Sequence, residues 1–144
     1  MTRSARALVD EALALVTTLD VDQARALHGR PDVQFVDLRE GVELRNEGTI
    51  RGAFHAPRGL VEFWFDRGGD WAQPALTRPG VRYVLFCAVG WRSALAARSL
   101  QEMGVEDVCH VGGGFAAWRA AGAPVEPDTT ATAAPPPATP TEGR

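Results

Sequence analysis

The chain has 144 residues, a length that suits one compact domain with short extensions. Hydrophobic residues make up 45% of the chain and charged residues 23%, a balance that excludes a chain disordered throughout. The formal net charge is -3 at pH 7, which gives no electrostatic basis for binding nucleic acid or an anionic membrane surface.

The N-terminal residues do not resemble a signal peptide, because Asp10 and Glu11 interrupt the apolar residues before Leu19. No later run of residues is long enough to span a bilayer. The two cysteines, Cys87 and Cys109, are too few for a disulfide scaffold or a common structural zinc site. We therefore expect a cytoplasmic protein with reduced thiols that binds no metal, no nucleic acid and no membrane.

The first predicted element is an amphipathic helix over residues 3–18, and we assign residues 1–20 to this N-terminal segment. Apolar side chains recur there at helical spacing, namely Ala5, Leu8, Val9, Ala12, Leu13, Leu15 and Val16. We expect this apolar stripe to pack on the core of the same chain. A contact between two copies, which would make the protein a homodimer, is the alternative.

Short strands and helices then alternate from residue 21 to residue 125. The predicted strands are 33–36, 81–86 and 107–111, with an extended piece at 53–55, and the predicted helices are 42–46, 91–103 and 114–121. This order predicts an α/β fold in which helices cover both faces of a mainly parallel central sheet. Active sites in such sheets lie beyond the carboxyl ends of strands, and Cys87 directly follows the clearest strand.

The last section of the chain, residues 126–144, is rich in Pro, Ala and Thr and contains no aromatic or large apolar residue. Such a segment cannot bury enough apolar surface to offset its loss of conformational entropy on ordering. We therefore predict that these residues form a disordered tail.

The loop after the strand at 81–86 combines three features that stabilise a negative charge on Cys87. Backbone N–H groups around a tight turn can converge on an anion, and Gly90 supplies the backbone freedom for such a turn. The following helix begins with unpaired N–H groups, and Arg92 adds a positive charge. Together they favour the thiolate, which is the nucleophilic form. Taken alone, Cys87 would be interpreted as a small buried hydrophobic residue.

The pattern Cys87-x-x-Gly90-x-Arg92-Ser93 resembles the active-site loop of the rhodanese family. Other segments resemble further motifs of that family in the same order: Val-Asp-Leu-Arg-Glu at 36–40, Gly-Thr-Ile-Arg-Gly-Ala-Phe-His-Ala-Pro at 48–57, Val-Gly-Gly-Gly-Phe-Ala-Ala-Trp at 111–118 and Gly-Ala-Pro-Val at 122–125. The resemblance covers residues 21–125. It implies the three-layer rhodanese-like fold.

The resemblance also implies a two-step sulfur transfer without a cofactor. Cys87 would take the sulfane sulfur of thiosulfate or a low-molecular-weight persulfide, hold it as a persulfide, and pass it to a thiol or to cyanide. The residues implied to bind the donor and the persulfide are Ala88, Val89, Gly90, Trp91, Arg92 and Ser93. Arg92 would hold an anionic donor.

Several other polar residues have both a functional and a structural interpretation. Asp37 and Arg39 could support the active loop, and we prefer a structural ion pair or turn cap. His55 could be a general base, and we prefer a hydrogen-bonded structural role. Cys109 lies in a predicted strand, which favours simple burial over a resolving thiol. His110 lies in the same strand and has no metal-ligand spacing.

An aromatic segment after residue 57 is harder to explain. Phe63, Trp64 and Phe65 are consecutive, so no single helical face can bury all three side chains. We predict that this segment and Trp91 wall the Cys87 pocket, with Arg58 at its rim.

Two other functions stay open at this point. A Cys-dependent phosphatase or arsenate reductase also sets a Cys–Arg loop at a helix start, with one residue more between Cys and Arg than the four between Cys87 and Arg92. A non-catalytic or sulfur-sensing binding module is the second alternative, because a fold does not fix a function. Because Ala88 and Val89 are apolar and Arg92 is the only charged residue in the loop, a persulfide donor or a protein partner fits this loop better than thiosulfate.

Overall fold

The computed structural model describes residues 2–128. Within them the helices are α1 Ala5–Leu15, α2 Val21–Leu27, α3 Gly41–Glu47, α4 Val61–Trp64, α5 Trp91–Glu102 and α6 Gly114–Ala120. The strands are β1 Thr18–Leu19, β2 Val33–Asp37, β3 Thr49–Ile50, β4 Phe54–His55, β5 Arg82–Phe86, β6 Val108–Val111 and β7 Val125–Glu126. Between residues 2 and 128, no helix combines the length and the hydropathy needed to cross a membrane.

A five-stranded sheet in the order β1-β6-β5-β2-β4 forms the centre of the fold, and each neighbouring pair of its strands is parallel. The short strands β3 and β7 form a separate antiparallel pair. These features confirm the α/β class and the mainly parallel central sheet that the order of elements predicted.

Helices cover both faces of the sheet. The side chains of β5 point alternately to one face and to the other. Tyr83 and Leu85 belong to one hydrophobic core, whereas Val84 and Phe86 belong to the other. Helices α4 and α5 bury their side chains in the first core, and helices α2 and α6 bury theirs in the second. The result is three layers, with the sheet in the middle.

The N-terminal helix is shorter than predicted. It begins after Ser4, whose side chain caps Ala7 N–H, and its buried residues Val9 and Ala12 mark the face that packs on the domain, where α1 contacts α5. The predicted packing within the chain is therefore confirmed. Residues Thr18–Leu19 were predicted as part of the helical segment but form the edge strand β1, which pairs with β6. A homodimer stays a prediction.

The predicted C-terminal tail overlaps the described residues only at its start. Glu126 is the last residue of β7, so regular structure extends one residue past the predicted boundary. Residues 129–144 lie outside the described part of the chain.

The residues singled out from the sequence lie at the carboxyl edge of the parallel strands. Leu38 N–H donates to the carbonyl oxygen of Phe86, and Arg58 N–H donates to the carbonyl oxygen of Leu38, at 2.9 and 3.0 Å. These bonds place the residues that follow β2, β4 and β5 side by side. Cys87 is the first residue after β5 at this edge.

Candidate active site

Cys87 lies in a tight loop between the end of β5 and the start of α5. Phe86 ends the strand and Trp91 begins the helix, so only three residues separate Cys87 from the helix. Gly90 is the N-cap of α5 with a φ of 106°, a conformation that a residue with a side chain rarely adopts. Cys87 is buried, with 1% of its surface exposed.

Two backbone hydrogen-bond donors converge on the Cys87 sulfur, and the Cys87 thiol itself donates to Ser93 Oγ. The N–H groups of Gly90 and Ser93 lie 3.2 and 3.3 Å from Sγ, and Ser93 Oγ lies 3.6 Å away. The Gly90 amide belongs to the N-cap and the Ser93 amide to the first turn of α5, where N–H groups have no partner within the helix. Backbone donors therefore converge on the sulfur as predicted, in an arrangement of N–H groups typical of anion-binding loops.

The start of α6 braces the loop from behind. Phe115 and Ala116 N–H groups donate to the carbonyl oxygens of Cys87 and Ala88 at 2.8 and 3.1 Å. This close approach depends on Gly114, because a Cβ there would lie 2.7 Å from the carbonyl carbon of Ala88, and its φ is 58°. The close approach of α6 thus braces the Cys87 loop.

Arg92 has a partner that the sequence analysis missed. Its guanidinium makes two hydrogen bonds to the carboxylate of Glu43 on α3, at 2.9 and 3.0 Å. These bonds lower the pKa of Glu43 to about 2 and raise that of Arg92, so both groups are charged at neutral pH. The charge of Arg92 is therefore paired before any substrate binds. The only signal for Glu43 was its spacing from Glu40, which is typical of a helix N-terminus.

Asp37 and Arg39 form a fully buried ion pair, as the structural interpretation expected. The guanidinium of Arg39 donates to both carboxylate oxygens of Asp37, at 3.1 and 2.9 Å. It also lies over the ring of Phe115, with 4.1 Å between the guanidinium carbon and the ring centroid. His55 Nε2 lies 2.6 Å from the carbonyl oxygen of Arg39. Arg39 thus supports the Cys87 loop through Phe115, while His55 holds the backbone of Arg39.

A second residue that the sequence analysis missed lies behind Ser93. His110 on β6 is fully buried, and its Nδ1 lies 2.8 Å from Ser93 Oγ while its Nε2 lies 2.8 Å from Thr18 Oγ1. Its position was known from the sequence, but its link to Ser93 was not. The available signal was a polar residue inside an apolar strand, because such a residue needs hydrogen-bond partners when it is buried.

The rhodanese-like domain family matches residues 20–121, which is most of the chain. This chain belongs to that family. A relative at 34% identity over 105 residues is the thiosulfate sulfurtransferase GlpE of Shewanella oneidensis, and the match covers 73% of this chain and 94% of that protein.

Two solved structures agree with the assignment of the fold. A protein of unknown function from Rhodopseudomonas palustris, named a possible tyrosine phosphatase, has a TM-score of 0.83 and 44% identity, covering 88% of this chain and 96% of that chain. A rhodanese-related protein from Thermoplasma volcanium has a TM-score of 0.63 and 23% identity, covering 78% of this chain and 99% of that chain. The second likeness concerns the fold alone, which confirms the expected rhodanese-like architecture.

In this rhodanese-like domain, the exposed residues of the Cys87 loop are apolar. Val89 and Trp91 have 57% and 48% of their surface exposed. The guanidinium of Arg6, on α1, lies 5.1 Å from the ring centroid of Trp91. Helix α1 precedes residues 20–121, the region that the family matches, so this contact joins a segment outside that region to the Cys87 loop.

The aromatic segment divides between core and surface as expected. Trp64 and Phe65 are buried, whereas Phe63 is half-exposed with its ring 5.7 Å from that of Trp71. Arg58 lies at the carboxyl edge of the sheet, and its guanidinium bonds both carboxylate oxygens of Glu62 at 2.9 and 3.0 Å. That these residues wall the Cys87 pocket stays a prediction.

A cavity of about 500 Å³ lies at the opposite edge of the rhodanese-like sheet. It is lined near the start of β5 by Val81 and Tyr83 and near the end of α5 by Met103 and Val105. Cys87 does not line it, because the two edges of the sheet lie at opposite ends of β5. The cavity is therefore separate from the candidate active site.

Proposed function

We propose that this rhodanese-like domain is a sulfurtransferase that carries sulfane sulfur as a persulfide on Cys87. The observation that supports this most is the convergence of the Gly90 and Ser93 N–H groups on the Cys87 sulfur, with Ser93 Oγ 3.6 Å from the same atom. Donors in this arrangement stabilise an anion that is centred on sulfur, in the thiolate and in the persulfide alike.

The reaction needs two displacements on sulfur. The Cys87 thiolate attacks the sulfane sulfur of the donor, a new S–S bond forms, and the old bond breaks with its electron pair leaving on sulfite or on a thiolate. An acceptor thiolate or cyanide then attacks the outer sulfur of the Cys87 persulfide. The second displacement returns the electron pair to the Cys87 sulfur, and the loop donors hold the regenerated thiolate.

The charges around the loop favour a persulfide of a small thiol over thiosulfate as the donor. Thiosulfate concentrates two negative charges beside the S–S bond that breaks, whereas glutathione persulfide in its neutral –SSH form carries its charges only on groups away from that bond. Arg92 is already paired with Glu43, and Arg58 is already paired with Glu62. The GlpE relative is named a thiosulfate sulfurtransferase, so thiosulfate is the alternative donor.

The name of the Rhodopseudomonas palustris protein raises phosphatase activity as a second candidate. A phosphatase needs a cradle for a tetrahedral oxyanion and a free arginine to bind it. Here the N–H donors lie 3.2 and 3.3 Å from the sulfur itself. The guanidinium of Arg92 is occupied by Glu43. Both observations favour sulfur transfer.

The test is an intact mass measurement on the reduced protein after incubation with thiosulfate or glutathione persulfide. We expect a gain of one sulfur atom that cyanide reverses, faster loading by glutathione persulfide, and no gain in the Cys87→Ser variant. The matched control is Cys109→Ser, which should load like the unaltered protein. No sulfur gain from either donor, together with hydrolysis of p-nitrophenyl phosphate, would establish the phosphatase instead. If the unaltered protein neither gains sulfur nor hydrolyses p-nitrophenyl phosphate, a binding module is the remaining function.

A further inference from the structure

The buried histidine behind the active-site loop forms a continuous hydrogen-bonded chain with the nucleophile. Cys87 Sγ lies 3.6 Å from Ser93 Oγ, which lies 2.8 Å from His110 Nδ1. His110 Nε2 lies 2.8 Å from Thr18 Oγ1. The chain connects three separate elements, α5, β6 and β1, and it ends at the exposed residue Thr18 on the sheet edge.

The number of protons in this chain fixes its direction when the sulfur is charged. The Ser93 hydroxyl has one proton, and if that proton is donated to an anionic sulfur, Oγ can only accept a hydrogen bond from His110. His110 Nδ1 must then carry the proton. In a neutral imidazole the other nitrogen, Nε2, is unprotonated, and it accepts a hydrogen bond from the Thr18 hydroxyl.

We propose that His110 is a positioning residue that directs the Ser93 hydroxyl proton onto the charged sulfur of Cys87. Its Nδ1–H group occupies the acceptor side of Ser93 Oγ and thereby leaves the hydroxyl free only to donate to the sulfur. Thr18 satisfies the far nitrogen of the ring. The role in holding a persulfide rests on the proposed sulfur transfer, whereas the role in holding the thiolate does not.

The surroundings of His110 fit a neutral ring rather than an acid or a base. Burial lowers the pKa of His110 to about 4, so the imidazole is uncharged at neutral pH. The groups that bond its two nitrogens are hydroxyls, Ser93 from α5 and Thr18 from β1, and the titratable group beyond Ser93 is Cys87. A hydrogen bond from the neutral His110 ring to Ser93 Oγ polarises the Ser93 hydroxyl and strengthens the bond from that hydroxyl to the sulfur.

The decisive measurement uses the unaltered protein. Nitrogen NMR of labelled histidine distinguishes the Nδ1–H tautomer from the Nε2–H tautomer. We expect His110 to carry its proton on Nδ1 at alkaline pH, once the absorbance of the Cys87 thiolate has fully appeared. A proton on Nε2 under those conditions would overturn the proposal, because Ser93 would then donate to His110 instead of the sulfur.

Two variants of similar polarity test the consequence for reactivity. The amide of His110→Asn lies where Nδ1 was and can still donate to Ser93 Oγ, whereas the amide of His110→Gln lies where Nε2 was and reaches towards Thr18. We follow alkylation of Cys87 alone by peptide mass spectrometry across pH. We expect the pH at which the alkylation rate of Cys87 is half its maximum to rise by about one unit in His110→Gln, as the loss of one hydrogen bond predicts. The rise should be clearly smaller in His110→Asn.

Equal shifts in the two variants would show that His110 only fills space. Introducing Ser93→Ala should abolish the difference between them, because His110 acts through the Ser93 hydroxyl. If circular dichroism shows that either variant does not fold, the tautomer of the unaltered protein decides. None of these readouts measures sulfur transfer, so a protein that passes them but does not load sulfur would refute the proposed function alone.

Discussion

The two cysteines of the chain are both buried, yet their surroundings are chemically opposite. Cys87 and Cys109 have 1% and 4% of their surface exposed. The sulfur of Cys87 accepts hydrogen bonds from two backbone N–H groups, whereas the thiol of Cys109 donates to the carbonyl oxygen of Tyr83, 3.7 Å away. Burial raises the pKa of Cys109 to about 11, which keeps it a neutral thiol. Burial alone therefore does not decide reactivity, since the direction of the surrounding hydrogen bonds does.

The difference follows from where each cysteine sits relative to a strand. Cys109 lies within β6, next to β5 in the sheet, where backbone N–H groups are used in the ladder. Cys87 lies one residue beyond β5 and just before a helix, where N–H groups have no partner within the helix. The same side chain is thus a core residue in one place and a candidate nucleophile in the other.

The largest effect should appear when the folded protein is labelled at pH 8. With a pKa of about 11, roughly one Cys109 in a thousand is a thiolate at that pH. We expect iodoacetamide to add one label, on Cys87, to the folded protein and two labels in denaturant, as read by intact mass and peptide mapping. Cys109→Ser should take one label in both states. Comparable labelling rates for the two cysteines in the folded protein would contradict the inferred difference in their reactivity.

Removing the brace behind Cys87 should lower both stability and sulfur loading. In Gly114→Ala the new methyl group would meet the carbonyls of Cys87 and Ala88, and its positive φ adds strain. We expect the free energy of unfolding to fall by more than about 2 kcal/mol in a urea titration. Gly68→Ala is the matched control, since Gly68 also has a positive φ but open space around it, and it should cost about 1 kcal/mol.

Equal stability losses in the two glycine variants would show that the close approach of α6 to the Cys87 loop is unimportant. Sulfur loading of the folded Gly114→Ala protein should also be slower. The hydrogen bonds from α6 to the carbonyl oxygens of the Cys87 loop orient that loop, and the new methyl group would disturb them. Gly68→Ala should load sulfur normally.

The smallest predicted effect concerns the charge beside Cys87. Glu43 is ionised above about pH 2, so it neutralises Arg92 under all assay conditions. Glu43→Gln keeps an oxygen that can accept from Glu40 N–H but leaves Arg92 with an uncompensated positive charge. We expect the rate of loading by thiosulfate, relative to glutathione persulfide, to rise about three- to ten-fold.

The control for that change is Glu102→Gln, which removes the same charge from an exposed pair with Arg98 at the far end of α5. It should leave the donor ratio unchanged, because exposed charges farther apart than a screening length interact weakly. If Glu43→Gln also leaves the ratio of the thiosulfate and glutathione persulfide loading rates unchanged, the Arg92–Glu43 pair does not select the donor.

The sequence by itself determined the features that depend on neighbouring residues. The β-branched and aromatic run of β5, the helical spacing in α5, and Cys87 with Gly90 between them are all local patterns, and the structure places them as predicted. The converging N–H groups follow from the same local geometry, because a loop that enters a helix must present the free amides of the first turn.

Only the tertiary structure decided which distant residues complete the site. Glu43 is 49 residues from Arg92, and Thr18 is 92 residues from His110. A two-residue edge strand such as β1 has no periodicity of its own and exists because β6 offers it a ladder. Side-chain partners across such distances are set by how helices and strands pack, so the charge state of Arg92 and the link from Cys87 to His110 could not be read from spacing along the chain.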